Sequence, residues 1–204
     1  MRLRALAAVL SLAAAPAFAA CPTAADLESG GVWIDFSDGS LVRYQRLKPE
    51  VVGEANYQPE GVEDFFTARY RGIWLLLDAP LKDDAPDGEE IMSFQPSAGE
   101  SDWPVVAPGA AWSGEITTRR ADGSFVNTFK MSAQVVGEET VHVSGCKYEA
   151  DIVHVEERYG DGDSRAEIRH LRALGVAYIA ASGQIGAEFE YFAVPTWIGD
   201  ERPR

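Results

Sequence analysis

Three histidines, two cysteines and two acidic segments are the residues of this 204-residue chain whose types and spacing could do chemistry. His154 and Glu156 are one strand period apart, and His170 lies beyond a Gly160-Asp161-Gly162-Asp163 turn. If the segments flanking that turn form a hairpin of the right parity, His154 faces His170 with Glu156 nearby. That would be a two-histidine, one-carboxylate site able to capture Zn²⁺ weakly. A metal centre needs three or four converging ligands with an oriented outer shell. Half-exposed strands place such residues near one another by chance, so the expectation is no metal and no cofactor. His154, His170 and Glu156 are the residues that would bind one. Asp161-Gly162-Asp163 opens like a calcium loop, but the downstream ligands and the bidentate Glu are missing, so it reads as a turn. The acidic run from Asp83 to Glu90 contains Pro86-Asp87-Gly88, itself a turn signal, and reads as a solvated loop.

No G-x-S-x-G, H-E-x-x-H, C-x-x-C or G-x-x-x-x-G-K-[ST] pattern occurs in the sequence. The common hydrolase, zinc-protease, redox and phosphate-loop chemistries therefore lack their signatures, and no catalytic residue is assigned. The apolar run Ile73-Trp74-Leu75-Leu76-Leu77 suggests binding instead. A strand that is apolar on both faces lies between two layers or lines an apolar cavity on one side. The candidate cavity residues are Trp74, Leu75, Leu77 and Trp33, with ordinary core packing as the competing reading.

Met1 to Ala20 reads as a secretory signal peptide, with Arg2 and Arg4 as the basic region, an apolar stretch, and Ala17-Phe18-Ala19 as the cleavage motif. The expected division is a leader at 1–19 and a single β-rich domain at 20–204, periplasmic or secreted. Loss of the two leader arginines takes the net charge from −14 to −16. So acidic a chain repels nucleic acid and anionic membrane surfaces. No later segment has 18 consecutive apolar residues, so no transmembrane segment is expected. Cys21 and Cys146 are the only cysteines. An even count behind a leader favours a disulfide, here closing a loop of about 125 residues and stabilising the fold by about 5 kcal/mol. The alternative is a lipoprotein acylated at Cys21, although Phe18 fits a lipobox poorly.

The elements that position these residues repeat. Offsetting the chain by 84 residues aligns 29–61 with 113–145 and gives 11 identities in 33 positions, against about two by chance. They include Asp38-Gly39-Ser40 with Asp122-Gly123-Ser124, and Val51-Val52-Gly53-Glu54 with Val135-Val136-Gly137-Glu138. A duplication predicts two strand-turn-strand units that superpose. In the first, a three-residue loop or Gly bulge sets Val32, Ile34 and Phe36 on one face with Val42 and Tyr44. The second, less apolar, reads as nearer a sheet edge. Further strands are expected at 64–70, 73–78, 91–94, 140–144, 146–158, 176–181 and 188–193. Residues 164–174 fit either a capped helix or a return strand pairing with 151–159, and the strand is preferred because consecutive strands usually pair.

The stretch Val135 to Val143, followed by Cys146, Tyr148 and Ala150, carries a strand-turn-strand pattern. Together with Pro108 to Gly114 and Leu174-Gly175, it resembles uncharacterised exported antiparallel β proteins of proteobacteria over about residues 105–180. The resemblance implies an antiparallel β domain in the cell envelope and carries over no catalytic residue.

The predicted fold is thus mainly β, with antiparallel meanders in a barrel-like or half-barrel sheet and at most one short helix. The expected role is a non-enzymatic periplasmic protein that binds an apolar ligand or an envelope partner. An assembly accessory without a small-molecule site comes second, and an enzyme of unrecognised type third.

Overall fold

The computed structural model describes residues 20–97, 99, 103–160 and 162–203. The expected signal peptide at 1–19, and Asp161 of the calcium-like turn, lie outside the described residues. One short helix, α1 (Asp26–Ser29), precedes β1 (Val32–Phe36), β2 (Leu41–Lys48), β3 (Val51–Tyr57) and β4 (Phe65–Tyr70). Then come β5 (Trp74–Lys82), β6 (Ala85–Pro86), β7 (Met92–Pro96), β8 (Ala111–Arg120), β9 (Phe125–Val143) and β10 (Cys146–Arg158). The chain ends with β11 (Asp163–Leu171), β12 (Val176–Gln184), β13 (Tyr191–Phe192) and β14 (Pro195–Gly199). All fourteen strands belong to one antiparallel sheet in the order β13-β12-β11-β10-β9-β8-β7-β5-β4-β3-β2-β1-β14, with β6 a flap on β5. No helix among the described residues is long and apolar enough to cross a membrane.

The sheet is a half-barrel rather than a closed one. Its terminal strands are neighbours in sequence: β13 pairs with β12 at one end, β14 pairs with β1 at the other, and the chain crosses between them at Ala193 and Val194. The segment Tyr191–Gly199 is therefore a strap across the seam.

Alternation and register decide what faces inward. In the first hairpin Phe36 N–H donates to the Ser40 carbonyl at 2.9 Å and Gly39 N–H to the Phe36 carbonyl at 3.0 Å, a three-residue loop with Gly39 at φ +87°. Val32 then pairs with Tyr44 and Ile34 with Val42, the face expected from the bulged register, and all of these side chains are buried. Residues 163–171 form a strand, nine of them pairing with β10. Among the expected strands, 188–193 shrinks to Tyr191–Phe192.

The repeat holds at its turn and fails beyond it. Arg120 and Ser124 pair as Phe36 and Ser40 do, Gly123 has φ +82°, and Ser124 N–H reaches Asp122 as Ser40 N–H reaches Asp38. A bulge between Thr118 and Arg119 then shifts the second hairpin by one residue. The first copy turns at Pro49 and Glu50, Glu50 with φ +61°, where the second continues as one 19-residue strand. Proline cannot donate to a ladder, so β2 ends before Pro49, and the second copy has Ala133 there. The second hairpin is also central, flanked by β7 and β10, not near an edge. Its few apolar residues reflect a solvent-facing side.

Two cores result. One gathers Leu27, Val32, Ile34, Tyr44, Val141, Tyr148, Leu171 and Val176; the other gathers Trp74, Trp103, Ile116, Phe129, Val153, Val155 and Ile168. On β10, Tyr148 and Ala150 belong to the first and Val153 and Val155 to the second, so opposite faces of one strand are buried at its two ends. Cys21 and Cys146 are joined with a Cα separation of 5.6 Å, and Leu27 of α1 is fully buried in the first core. Tyr148 Oη donates to the Pro22 carbonyl at 3.0 Å. The N-terminal segment thus plugs one end of the half-barrel.

The variant Cys146→Ser is expected to lose about 2–5 kcal/mol of stability, because the bond closes a loop of 125 residues. Urea unfolding of wild type and variant, each without reductant, checks this, and an unchanged midpoint would contradict it.

Candidate ligand cavity

The inner face of β2, β3 and β4 is set by two rows of paired residues. Tyr44, Glu54 and Thr67 pair in one row, and Val42, Asn56 and Phe65 in the next. Opposite them runs β12, which pairs with β13 only at Ala181 and Ser182. From Val176 to Ala180 this edge is met by side chains and by the strap. Tyr44 Oη donates to the Ala177 carbonyl at 3.0 Å, Arg46 Nη2 to the Leu174 carbonyl at 3.3 Å, and Ala193 N–H to the Ala180 carbonyl at 3.0 Å. At one end of the seam two turns touch: a Cβ on Gly72, at φ +73°, would lie 2.7 Å from the Gly175 carbonyl oxygen.

Between these stitches lies a cavity of about 350 Å³. Phe36, Val42, Ala177 and Tyr178 wall it, while Glu54, Asn56 and Arg69 supply polar groups. Phe65, Ile179 and Tyr191 line it while being 36%, 39% and 38% exposed, which places its mouth beside the strap. Tyr191 Oη donates to Asp38 Oδ2 at 2.5 Å across that mouth.

Glu54 is only 5% exposed. Its Oε2 accepts from Thr67 Oγ1 at 2.9 Å and from Arg69 Nε at 3.0 Å, and Arg69 Nη1 donates to the Ile73 carbonyl at 3.1 Å. Glu54 Oε1, itself almost without accessible surface, has no hydrogen-bond partner among the described residues. Burial lifts the Glu54 carboxyl above its usual range even against Arg69 and Thr67. Burial also opposes the Arg69 charge, yet Glu54 outweighs it and the guanidinium is held more firmly protonated. Asp38 differs. Burial works to raise it, but hydrogen bonds from Tyr191 and Ser40 prevail and leave it below the ordinary range.

The residues singled out in the sequence lie elsewhere. Trp74 stacks on Trp103 with centroids 5.6 Å apart and meets Trp112 edge-on, inside the second core. Leu75 and Leu77 are half-buried along β5, opposite Arg69 and Ala68. Trp33 has the opposite parity to Val32 and Ile34, so it faces away from the first core, stacked on Tyr57 with Arg43 and Arg202 over its ring. None of the four lines the 350 Å³ cavity. The space between β2–β4 and β12 is thus a different one from the cavity expected at Trp74, Leu75, Leu77 and Trp33.

The metal candidates also separate. His154 pairs with Glu167, its Nε2 2.9 Å from Oε2, while His170 Nδ1 lies 3.3 Å from Asp151 Oδ2. Asp151 and His154 are three residues apart on one strand, so the two histidine pairs occupy opposite faces. Glu156 instead accepts from Arg158 Nη2 at 2.9 Å. Asp151, 1% exposed, also accepts from Arg172, which in turn reaches Glu138. Burial would raise the Asp151 carboxyl, but the Arg172 and His170 hydrogen bonds and charges outweigh it and lower it.

The only sequence mark on Glu54 is its membership of the repeat. Its counterpart Glu138 is half-exposed in β9 and paired to Arg172, so identity in the repeat carried no shared role. A usable signal is the polar alternation Glu54-Asn56 on one strand and Thr67-Arg69 on the next, unusual where the other residues of both are mostly apolar.

No family model matches the chain, and no curated protein matches it. Among solved structures, the hypothetical lipoprotein YmcC from Escherichia coli (K12) is similar at 13% identity over 75% of this chain and 74% of that one, with a TM-score of 0.41.

Two outcomes follow from this geometry. Tyr44→Phe is expected to cost about 1 kcal/mol, since it leaves the Ala177 carbonyl without its donor, and urea unfolding reads this directly. Burial lowers His170 below its usual 6.5, so the unfolded chain takes up a proton first as pH falls and stability drops below that value. His170→Gln should flatten the fall in urea midpoint between about pH 7 and about pH 5. An identical fall in the variant would contradict it.

Proposed function

We propose that the chain is a binding protein of the cell envelope that holds a small, partly apolar ligand in the cavity between β2–β4 and β12. The observation that carries this is a 350 Å³ space with apolar and aromatic walls into which Glu54, Asn56 and Arg69 bring polar groups. Protein interiors are close-packed, and buried polar atoms nearly always find a partner. The volume is at the lower end of those that hold small molecules, and apolar walls with a few fixed polar groups match such sites. The leader sequence and the Cys21–Cys146 bond support an oxidising compartment outside the cytoplasm.

A second reading, docking to an envelope protein, is favoured by Phe192 and Val194, which are 62% and 60% exposed beside the same mouth. Native mass spectrometry of protein purified from its own host separates the two. The ligand reading expects a non-covalent mass on the wild type that is lost in Ser182→Trp, a half-buried lining position where added bulk fills the cavity. Wild type without such a mass, copurifying one protein that Phe192→Ser releases, would overturn it in favour of docking.

A further inference from the structure

We infer that residues 185–192, the flap between β12 and the buried Ala193, gate the cavity: its inner wall is reached by lifting this flap while the sheet stays folded. This rests on the ligand-binding reading above and names how that site opens and closes.

The need for a moving part comes from the walls. Phe36, Val42, Tyr44 and Tyr178 line the cavity, yet all four are buried, Tyr44 at 1% exposure. Solvent meets Phe65, Ile179 and Tyr191 at the mouth but barely touches the wall behind them. A molecule that is to pack on that wall must first displace something at the mouth.

The three mouth residues differ in what holds them. Phe65 is paired on both sides, with Asn56 of β3 and Pro80 of β5, and Ile179 is paired with Ile168 of β11. Moving either one breaks a long ladder. Tyr191 instead belongs to the two-residue β13, which pairs with β12 at Ala181 and Ser182 and ends the sheet. None of residues 185–192 is buried, so lifting them uncovers little apolar surface. Segments with few buried apolar contacts open at the smallest free energy. Ala193 and Ile198, both in the first core, keep the rest of the strap in place.

Few contacts hold the flap down. Glu190 N–H donates to the Ser182 carbonyl at 2.8 Å, and Tyr191 Oη latches to Asp38. The Arg165 guanidinium lies 4.2 Å from the Phe189 ring centre and donates to the Ala187 carbonyl. Gly183 lets the flap lie close, since a Cβ there would sit 2.9 Å from the Glu188 carbonyl oxygen. Tyr191 both lines the cavity and bonds across its mouth, so releasing the latch and clearing the entrance are one motion.

The test is thiol labelling of the full protein with dithionitrobenzoate in native buffer. Val42→Cys places a thiol on the cavity wall, and Val155→Cys places one in the second core, outside the cavity. The first is expected to react faster than the second. Adding Tyr191→Phe should speed the Val42→Cys reaction about tenfold, the loss of one hydrogen bond to a charged group, and leave Val155→Cys unchanged. Gly183→Ala, which props the flap without touching the latch, should act in the same direction. Equal protection of the two thiols, or a Val42→Cys rate indifferent to both Tyr191→Phe and Gly183→Ala, would overturn the inference. Hydrogen exchange needs no cysteine variant: the Glu190 amide should exchange at least tenfold faster than the amides of β11, and faster still in Tyr191→Phe, and protection equal to that of β11 would overturn the inference even if Val42→Cys fails to fold. A bound mass on protein from its host, with labelling that ignores Tyr191→Phe, would overturn the gate and leave the ligand-binding reading standing. Gated labelling with no bound mass would support the gate and count against that reading.

Discussion

The unpaired edge of β12 is the constraint on which the rest of the molecule depends. A backbone carbonyl removed from water without a donor is costly, so a sheet that curls without closing must meet its own edges by other means. Here the donors come from side chains on the facing strands and from the strap, at Leu174, Ala177 and Ala180. Side chains reach further than a ladder does. The two walls are therefore held apart, and the gap between them is the cavity. A fully closed barrel of these strands would have brought β12 against a neighbour and filled that space.

The same compromise explains the divided core. Bulges between Ile152 and Val153 in the β9–β10 ladder, and between Glu167 and Ile168 in the β11–β12 ladder, re-phase the outer partners while β10 itself runs on unbroken. The strand consequently turns one face inward near Cys146 and the other near Val155. Bulges raise local twist, which lets one sheet wrap around two centres. Glu54 and Arg69 sit on the inner face of the meander, and their mutual pairing makes two buried charges tolerable there. A buried pair of this kind adds little to stability against apolar side chains of the same volume.

Much of the architecture was legible in the residues. Alternation at Val32, Ile34 and Phe36, with Gly39 as the left-handed turn residue, was enough to set the first hairpin's register. Two cysteines behind an apparent leader were enough to pair them. What could not be read was which face of each strand the curl would enclose. Trp74 and Trp33 were prominent by type, but parity and the position of β5 sent one into the second core and the other against Tyr57. His154 and His170 failed for a similar reason, since a shift of one residue in a hairpin exchanges faces. Glu54 was hidden because nothing local distinguishes a carboxylate under a curled sheet from one in solvent.

The strap has a consequence for how the chain reaches this state. Trp33 near the start of the sheet pairs with Gly199 near the end of the chain, and Cys21 must find Cys146 across most of the intervening strands. A polypeptide appearing from its N-terminus outward would expose the edge of β1 until β14 arrives. Contacts so distant in sequence make assembly slow, because loop-closure entropy is spent before they form. During that interval β1 presents unpaired backbone groups, and the acidic surface is then the main guard against strand-to-strand association between copies.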